Sequence, residues 1–399
     1  MLQVIASHCQ GERVINFIVS GNCRRVVSAV LLAIHSFTDA KCIVVGGQAT
    51  RGLRWSRLCK GQVTVDIDGA DDSGFVDAVN RIANRNPHVI LIPADCDAIR
   101  VTNRVRGMLK VKTTPIPDLR TLDMFDNKWQ FHQFCAGQGL PVPPTYFFAS
   151  KMEMDFNAIV AEIGLPFVVK PLDRAGSTGV HIVPSEQDFE ASILDNRGYD
   201  FGPLIAQRFI RGVDVDVSFL AAGGRLSAVA VQQASGSRID FLSNPALETM
   251  ASALSGASAY HGVMHVDARV EEGTGKVWLI ESNPRFWASL TASVWCGLNF
   301  VAESLVPASK DAGVRALTAG SVSIRHPLVR PAAWGGLLAD RGGRGRLLRA
   351  MAFDPPSLGE FARELPATAL RFAGRRISPY FNGMFRGAAA SGGMAKEMA

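Results

Sequence analysis

Disulfide-ready cysteines, long apolar runs and a pervasive basic field are all missing from this chain of 399 residues. Its seven cysteines are scattered, and no two form a C-x-x-C pair, which argues against a disulfide frame or a zinc site and for a reducing compartment. The longest apolar run near the start, "VVSAVLLAI", is about half of what a membrane span needs. The opening "MLQVIASHCQGER" lacks the basic-then-apolar order of a secretion signal, so a cytoplasmic location is expected. The net charge of +6 is not spread evenly. From residue 325 onward twelve basic residues face five acidic ones, a surplus of seven that leaves the rest near neutral. That distribution speaks against a nucleic-acid binder, which would want a basic face on its folded body. Two phosphate-binding signatures are absent as well: "SGNCRR" is not G-x-G-x-x-G, and no G-x-x-x-x-G-K-[ST] occurs.

What is present alternates. "VINFIV", "AKCIVVGG", "QVTVDID" and "HVILIPAD" read as strands, separated by the helical patterns "RRVVSAVLLAIHSF" and "FVDAVNRIANRN". Strands alternating with helices predict a parallel α/β sheet, ending near the two prolines of "TTPIPDL". A second region starts at "FDNKWQFHQFCAGQGLPVPPTYFF" and continues through "LPFVVKP", the glycine-rich "DRAGSTGV" and "PLIAQRFI". Its later strands, "DVDVSFLAA", "RLSAVAVQQ", "GVMHVDARV" and "KVWLIESNP", are joined by short turns and predict antiparallel pairing. Helical pieces with arginine on one face follow, and the last dozen residues are too poor in bulky side chains to order.

The chemistry gathers at strand ends. In "VWLIESNPRF" the period of two puts Glu281 and Asn283 on one face, about 7 Å apart. Both offer oxygen, the donor magnesium prefers, and Asp267 on the preceding strand of a hairpin closed by "EEGTG" adds a third. Arg285 lies on the same alternation and can clamp a phosphoryl or carboxylate group. The bland alternative is a strand end with solvated polar residues. Lys170 ends "PFVVK" just before the glycine-rich turn, where it can reach a phosphate; taken alone, that is also the pattern of a hairpin with a surface lysine. Trp287 and Ser289 border Arg285, and Arg238 sits in a turn; for these, packing and solvation are the plainer readings. His261 and His265, four apart on a strand with no H-E-x-x-H, are expected to be structural.

Lys128 in "DNKWQF", Lys170 before its loop, "QRFIRGVDVDVSF", Asp267 and "ESNPR" stand in an order and spacing that resembles the ATP-grasp superfamily. The likeness is to the carbamoyl-phosphate-synthetase and D-alanine–D-alanine-ligase branch of carboxylate–amine ligases, over roughly residues 120–305. It implies an α/β and α+β chain: a parallel pre-ATP-grasp domain at 1–118, a two-lobed ATP-grasp domain at 119–308 (lobes 119–200 and 201–308), and a helical basic extension at 309–399. It implies that Lys128 and Lys170 hold ATP phosphates and that Gly176, Ser177, Thr178 and Gly179 cover them. By the same resemblance Gln207 accepts from the adenine amino group, where the family usually has glutamate. Arg208, Phe209 and Ile210 then form the hinge at the adenine edge, and Asp214 meets the ribose. Asp267, Glu281 and Asn283 match the ligands of Mg²⁺, for which Mn²⁺ can substitute, and Arg285 matches the contact to the transferred phosphoryl.

The implied activity is ATP-dependent coupling of a carboxylate, activated as an acyl phosphate, to an amine, with an amino acid as the expected substrate type. A homodimer is common in such families. Two rivals stand beside it: a carbamoyl-phosphate- or carboxylase-type use of bicarbonate, and a non-catalytic ATP-binding module that docks a partner through its basic tail. The tail also carries a weaker reading as a membrane-surface contact, resting on its Arg–Leu pattern.

Overall fold

The computed structural model describes residues 15–172, 174, 176–307, 313–340, 342–359 and 361–362. The expectations for the last dozen residues and for the helical piece after residue 362 lie outside these. Within the described residues the chain divides into two compact units, neither contiguous in sequence. One is built from 15–125, 214–268 and 282–362, the other from 126–213 and 269–281.

The first sheet is the predicted parallel one. Strands β1 (Ile15–Gly21), β2 (Lys41–Gly46), β3 (Gly61–Thr64), β4 (Ile90–Pro93) and β5 (Lys112–Thr113) lie in the order β3-β2-β1-β4-β5. All four neighbouring pairs in it are parallel, with Ile18 opposite Ile43 on one side and Leu91 on the other. Such a sheet is covered on both faces, so its central strand reads as a continuous apolar run, and Ile18 and Val19 are fully buried. The helix Arg24–Phe37 follows β1 and buries Val26, Val27, Val30, Leu31 and Ile34 at the 3–4 spacing of one helical face. The strand predicted for "QVTVDID" stops at Thr64, because Asp66 turns the chain by accepting from the amides of Asp68 and Gly69.

The second unit contains a four-stranded antiparallel sheet of β6 (Thr145–Phe148), β7 (Phe167–Pro171), β8 (His181–Val183) and β9 (Leu204–Arg208), ordered β6-β9-β7-β8. Phe156, Phe167 and Phe189 pack on one another beneath it, with centroids 5.7–6.1 Å apart. The third sheet contains β10 (Gly212–Ala222), β11 (Arg225–Ser235), β12 (Arg238–Leu242), β13 (Gly262–Glu271), β14 (Val277–Asn283), β15 (Arg315–Leu317) and β16 (Ala319–Ser323). Its order is β14-β13-β10-β11-β12-β16, with β15 pairing β11. The pairs β10–β11 and β11–β12 are antiparallel, as the short turns predict, and so is β12–β16, while β13 returns beside β10 and β15 pairs β11 in parallel.

In the first unit, helices Pro331–Ala339 and Gly343–Phe353 come from the arginine-rich region. Leu347 joins the core under the helix Arg24–Phe37. The arginines beside it cap carbonyls: Arg344 donates to Trp295 O (2.8 Å), Arg346 to Ser36 O (3.1 Å) and Arg349 to Asp340 O (2.5 Å). Asp354, at the end of this helix, accepts from Ser56 Oγ at 2.8 Å and Arg57 N at 2.7 Å. Asp354→Ala is expected to cost about 2–4 kcal/mol, since it strands two donors at a buried contact; the midpoint of urea unfolding reads it. Burial, opposed by the Ser56 and Arg57 bonds, holds the Asp354 carboxyl above its usual range. Its contribution is thus full below the ordinary aspartate value and is lost as pH rises through the raised one. Asp354→Asn can still accept from Arg57 N, with its Nδ2 donating to Ser56 Oγ in place of the original bond, and should flatten that part of the stability–pH curve.

Candidate functional site

In the second unit Asn127 caps the helix Lys128–Gly137, its Oδ1 accepting from the amides of Trp129 and Gln130, both at 3.0 Å. The cap fixes Lys128 as the first helical residue. Its ammonium is buried, donates to the carbonyl of Arg174 at 2.6 Å and lies 3.8 Å from Glu281 Oε2. A lysine from a helix start, the beginning of the glycine-rich turn and a carboxylate from the end of β14 are thereby brought together.

Lys170, also buried, donates to Gln207 Oε1 at 2.9 Å. Gln207 in turn donates from Nε2 to Thr145 Oγ1 at 3.0 Å, across the β6–β9 pair in which Thr145 faces Gln207. The amide of Gln207 is therefore oriented from both ends, and its oxygen points to the lysine. Among the described residues of the turn between β7 and β8, φ is positive at Gly176, Ser177 and Gly179. Such a backbone can aim successive N–H groups the same way, as anion sites require. Thr178 is exposed in the same turn, and the Tyr199 hydroxyl donates to Gly179 O at 2.7 Å, pinning its far end. At the end of β9, Arg208 N is spent on Pro144 O (2.9 Å) and its guanidinium meets Glu271 at 2.9 Å. The ring of Phe209 lies under Arg269, and Ile210 is buried.

The first unit holds the other predicted residues. Ser282 points opposite to its neighbours on β14 and donates from Oγ to Phe125 O at 2.6 Å, so Asn283 is turned the other way, as alternation requires. Arg285 donates from Nη2 to Asn283 Oδ1 (2.9 Å) and from Nη1 to Phe286 O (2.8 Å). The amide and guanidinium that the sequence pairs by spacing are in contact. Asp214 is exposed on β10, and Asp267 is partly exposed on β13.

One partner of Asp267 was missed by sequence reasoning. His265, expected to be structural, is buried with Nε2 at 3.1 Å from Asp267 Oδ1 and 3.8 Å from Asp216 Oδ2. The i, i+2 alternation of "HVD" places the two side chains on one face of the strand. Burial alone would lower the His265 pKa, but Asp267 and then Asp216 outweigh it and the net direction is up. Asp216 is pushed up to about 7, chiefly by burial.

The fold of this chain is that of ATP-dependent ligases and carboxylases. It aligns with the L-amino acid ligase of Bacillus licheniformis at a TM-score of 0.55 and 15% identity, over 73% of each chain. It also aligns with the biotin carboxylase domain of Hydrogenobacter thermophilus 2-oxoglutarate carboxylase, solved with MgADP, ADP and bicarbonate, at 0.57 and 12% identity, over 76% of this chain and 73% of that one. Residues 125–289 match the ATP-grasp domain model, and this part of the chain is an ATP-grasp domain. A D-alanine–D-alanine ligase from Desulforudis audaxviator is 33% identical over 118 residues, 29% of this chain and 39% of that relative's length. The chain thus matches well under half of that curated relative. Among the described residues no helix is long and apolar enough to cross a membrane.

Proposed function

We propose that the protein is an ADP-forming carboxylate–amine ligase. The observation that carries this reading is the convergence of Lys128, the Arg174 carbonyl and Glu281. A buried ammonium that spends one N–H on a loop carbonyl and stands 3.8 Å from a strand-end carboxylate keeps donor capacity for a phosphate oxygen. Lys128 and Lys170 are the proposed phosphate contacts, with the turn from Gly176 to Gly179, including Ser177 and Thr178, closing over them. With Arg208 N engaged, the backbone of Phe209 and Ile210 is left to read the adenine edge, and Gln207 and Asp214 take the amino group and ribose.

The donor set of Asp267, Glu281 and Asn283, two carboxylates and an amide oxygen, fits magnesium. Bound there, the ion would neutralise charge on the phosphates. The substrate carboxylate would attack the γ-phosphorus, giving an acyl phosphate and ADP. The amine would then add to the acyl carbon and expel phosphate, while Arg285 steadies the transferred group. The domain boundaries at 118 and 308, a cytoplasmic location and a homodimer belong to the same reading. The solved structure with bicarbonate favours one alternative, bicarbonate as the phosphoryl acceptor.

A coupled ADP-release assay over a panel of amino acids, short peptides and bicarbonate separates these. Release that needs both an amino or carboxylic acid and an amine supports ligation, and release with bicarbonate alone supports the alternative. ATP binding without turnover across the panel would leave a non-catalytic module.

A further inference from the structure

We propose that Asp216, His265 and Asp267 form a divalent-cation seat of mixed nitrogen and oxygen donors, in addition to the magnesium set of Asp267, Glu281 and Asn283. One carboxylate is shared with the ligase reading; nothing else in the inference depends on ATP turnover.

The seat follows from strand geometry. His265 and Asp267 are two apart on β13, so they share a face, and β10 is the neighbouring strand. On β10, Asp216 and Ser218 are likewise two apart. Nε2 of His265 and one oxygen from each carboxylate all lie within 4.8 Å of one another. Two adjacent donors on one ion sit about 3 Å apart in octahedral geometry and slightly further apart in tetrahedral geometry. The 3.1 Å from Nε2 to Asp267 matches those spacings, and the 3.8 Å to Asp216 is longer, so Asp216 would close in on a bound ion.

The surroundings orient the donors as an outer shell does. Ser218 Oγ lies 2.8 Å from Nδ1 of His265, which leaves Nε2 as the nitrogen that faces the carboxylates. The imidazole is stacked on Trp287, centroids 5.3 Å apart and planes 15° apart, and Trp287 packs edge-on against Phe300. Gln232, opposite Asp216 in the β10–β11 register, donates to Asp216 Oδ2 at 3.2 Å. A divalent ion held there would take the Nε2 lone pair and neutralise both carboxylates at once. The nitrogen donor also predicts the selectivity: Mn²⁺ and Co²⁺ should bind at least about tenfold more tightly here than Mg²⁺, which prefers oxygen.

The test uses the full chain with no nucleotide present. Mn²⁺ titration followed by electron paramagnetic resonance should reveal a site that survives Glu281→Gln and weakens at least about tenfold in His265→Ala and in Asp216→Asn. Ser218→Ala should weaken it by about 10-fold, as outer-shell changes do, and by less than His265→Ala does. Pulsed resonance on the wild-type protein should detect coupling of the bound Mn²⁺ to one imidazole nitrogen, a readout that does not depend on any variant folding. Absence of nitrogen coupling, or equal Mn²⁺ affinity in His265→Ala, overturns the seat. Nitrogen coupling in a protein that releases no ADP on the panel would sink the ligase reading and leave the seat standing.

Discussion

Lys128→Met is expected to lower substrate-dependent ADP release by about 100- to 1,000-fold, the scale seen when one preorganised charge is taken from an active centre. The methionine keeps the unbranched apolar stem, so the helix start and its Asn127 cap should persist. What disappears is the ammonium that donates to Arg174 O and faces Glu281. Lys128→Arg should recover only part of the rate, because a planar fork cannot replace a compact charge in a buried slot. Urea unfolding of the methionine variant should lie close to the wild type. Activity within threefold of wild type, in a variant that folds normally, would remove Lys128 from the phosphate-binding role.

Gly212→Ala should be the most damaging single methyl group in the second unit. At φ +152°, a Cβ on residue 212 would stand 1.9 Å from Val270 O and 2.9 Å from Val270 C, both backbone atoms that no rotamer change can move. The neighbouring Arg211 O accepts from Glu272 N at 2.8 Å, so backing away would break that pairing too. A cost of about 3 kcal/mol or more follows, which is roughly 6–12 °C in melting temperature. Gly223→Ala is the comparison: its φ is also positive, at +57°, but no atom lies within 4 Å of the added methyl. It should cost only about 1 kcal/mol. Equal melting points for the two variants would refute the close approach at Val270.

Local patterns were the legible part of this molecule. The parallel sheet could be read because β1, β2 and β4 are apolar runs separated by a helical period, and the end of β14 because alternation sets Ser282 against Glu281 and Asn283. Lys128 could be found only through resemblance to a family, since nothing in "DNKWQF" distinguishes a phosphate-seeking lysine from any first-turn residue. Asp216 was invisible for a different reason. Its partnership with His265 depends on which strand lies beside β13, and strand order is a long-range property that sequence spacing does not encode.

The arginine-bearing helix near the C-terminus looks, on charge alone, like an appendage that an experimenter would trim. Asp354 reaches residues 56 and 57 across almost three hundred positions of chain, and Leu347 sits against the very helix that follows β1. A protein ended before Pro331 would leave that helix wet on one side, so loss of activity on shortening would report a damaged scaffold and say nothing about a partner for the tail.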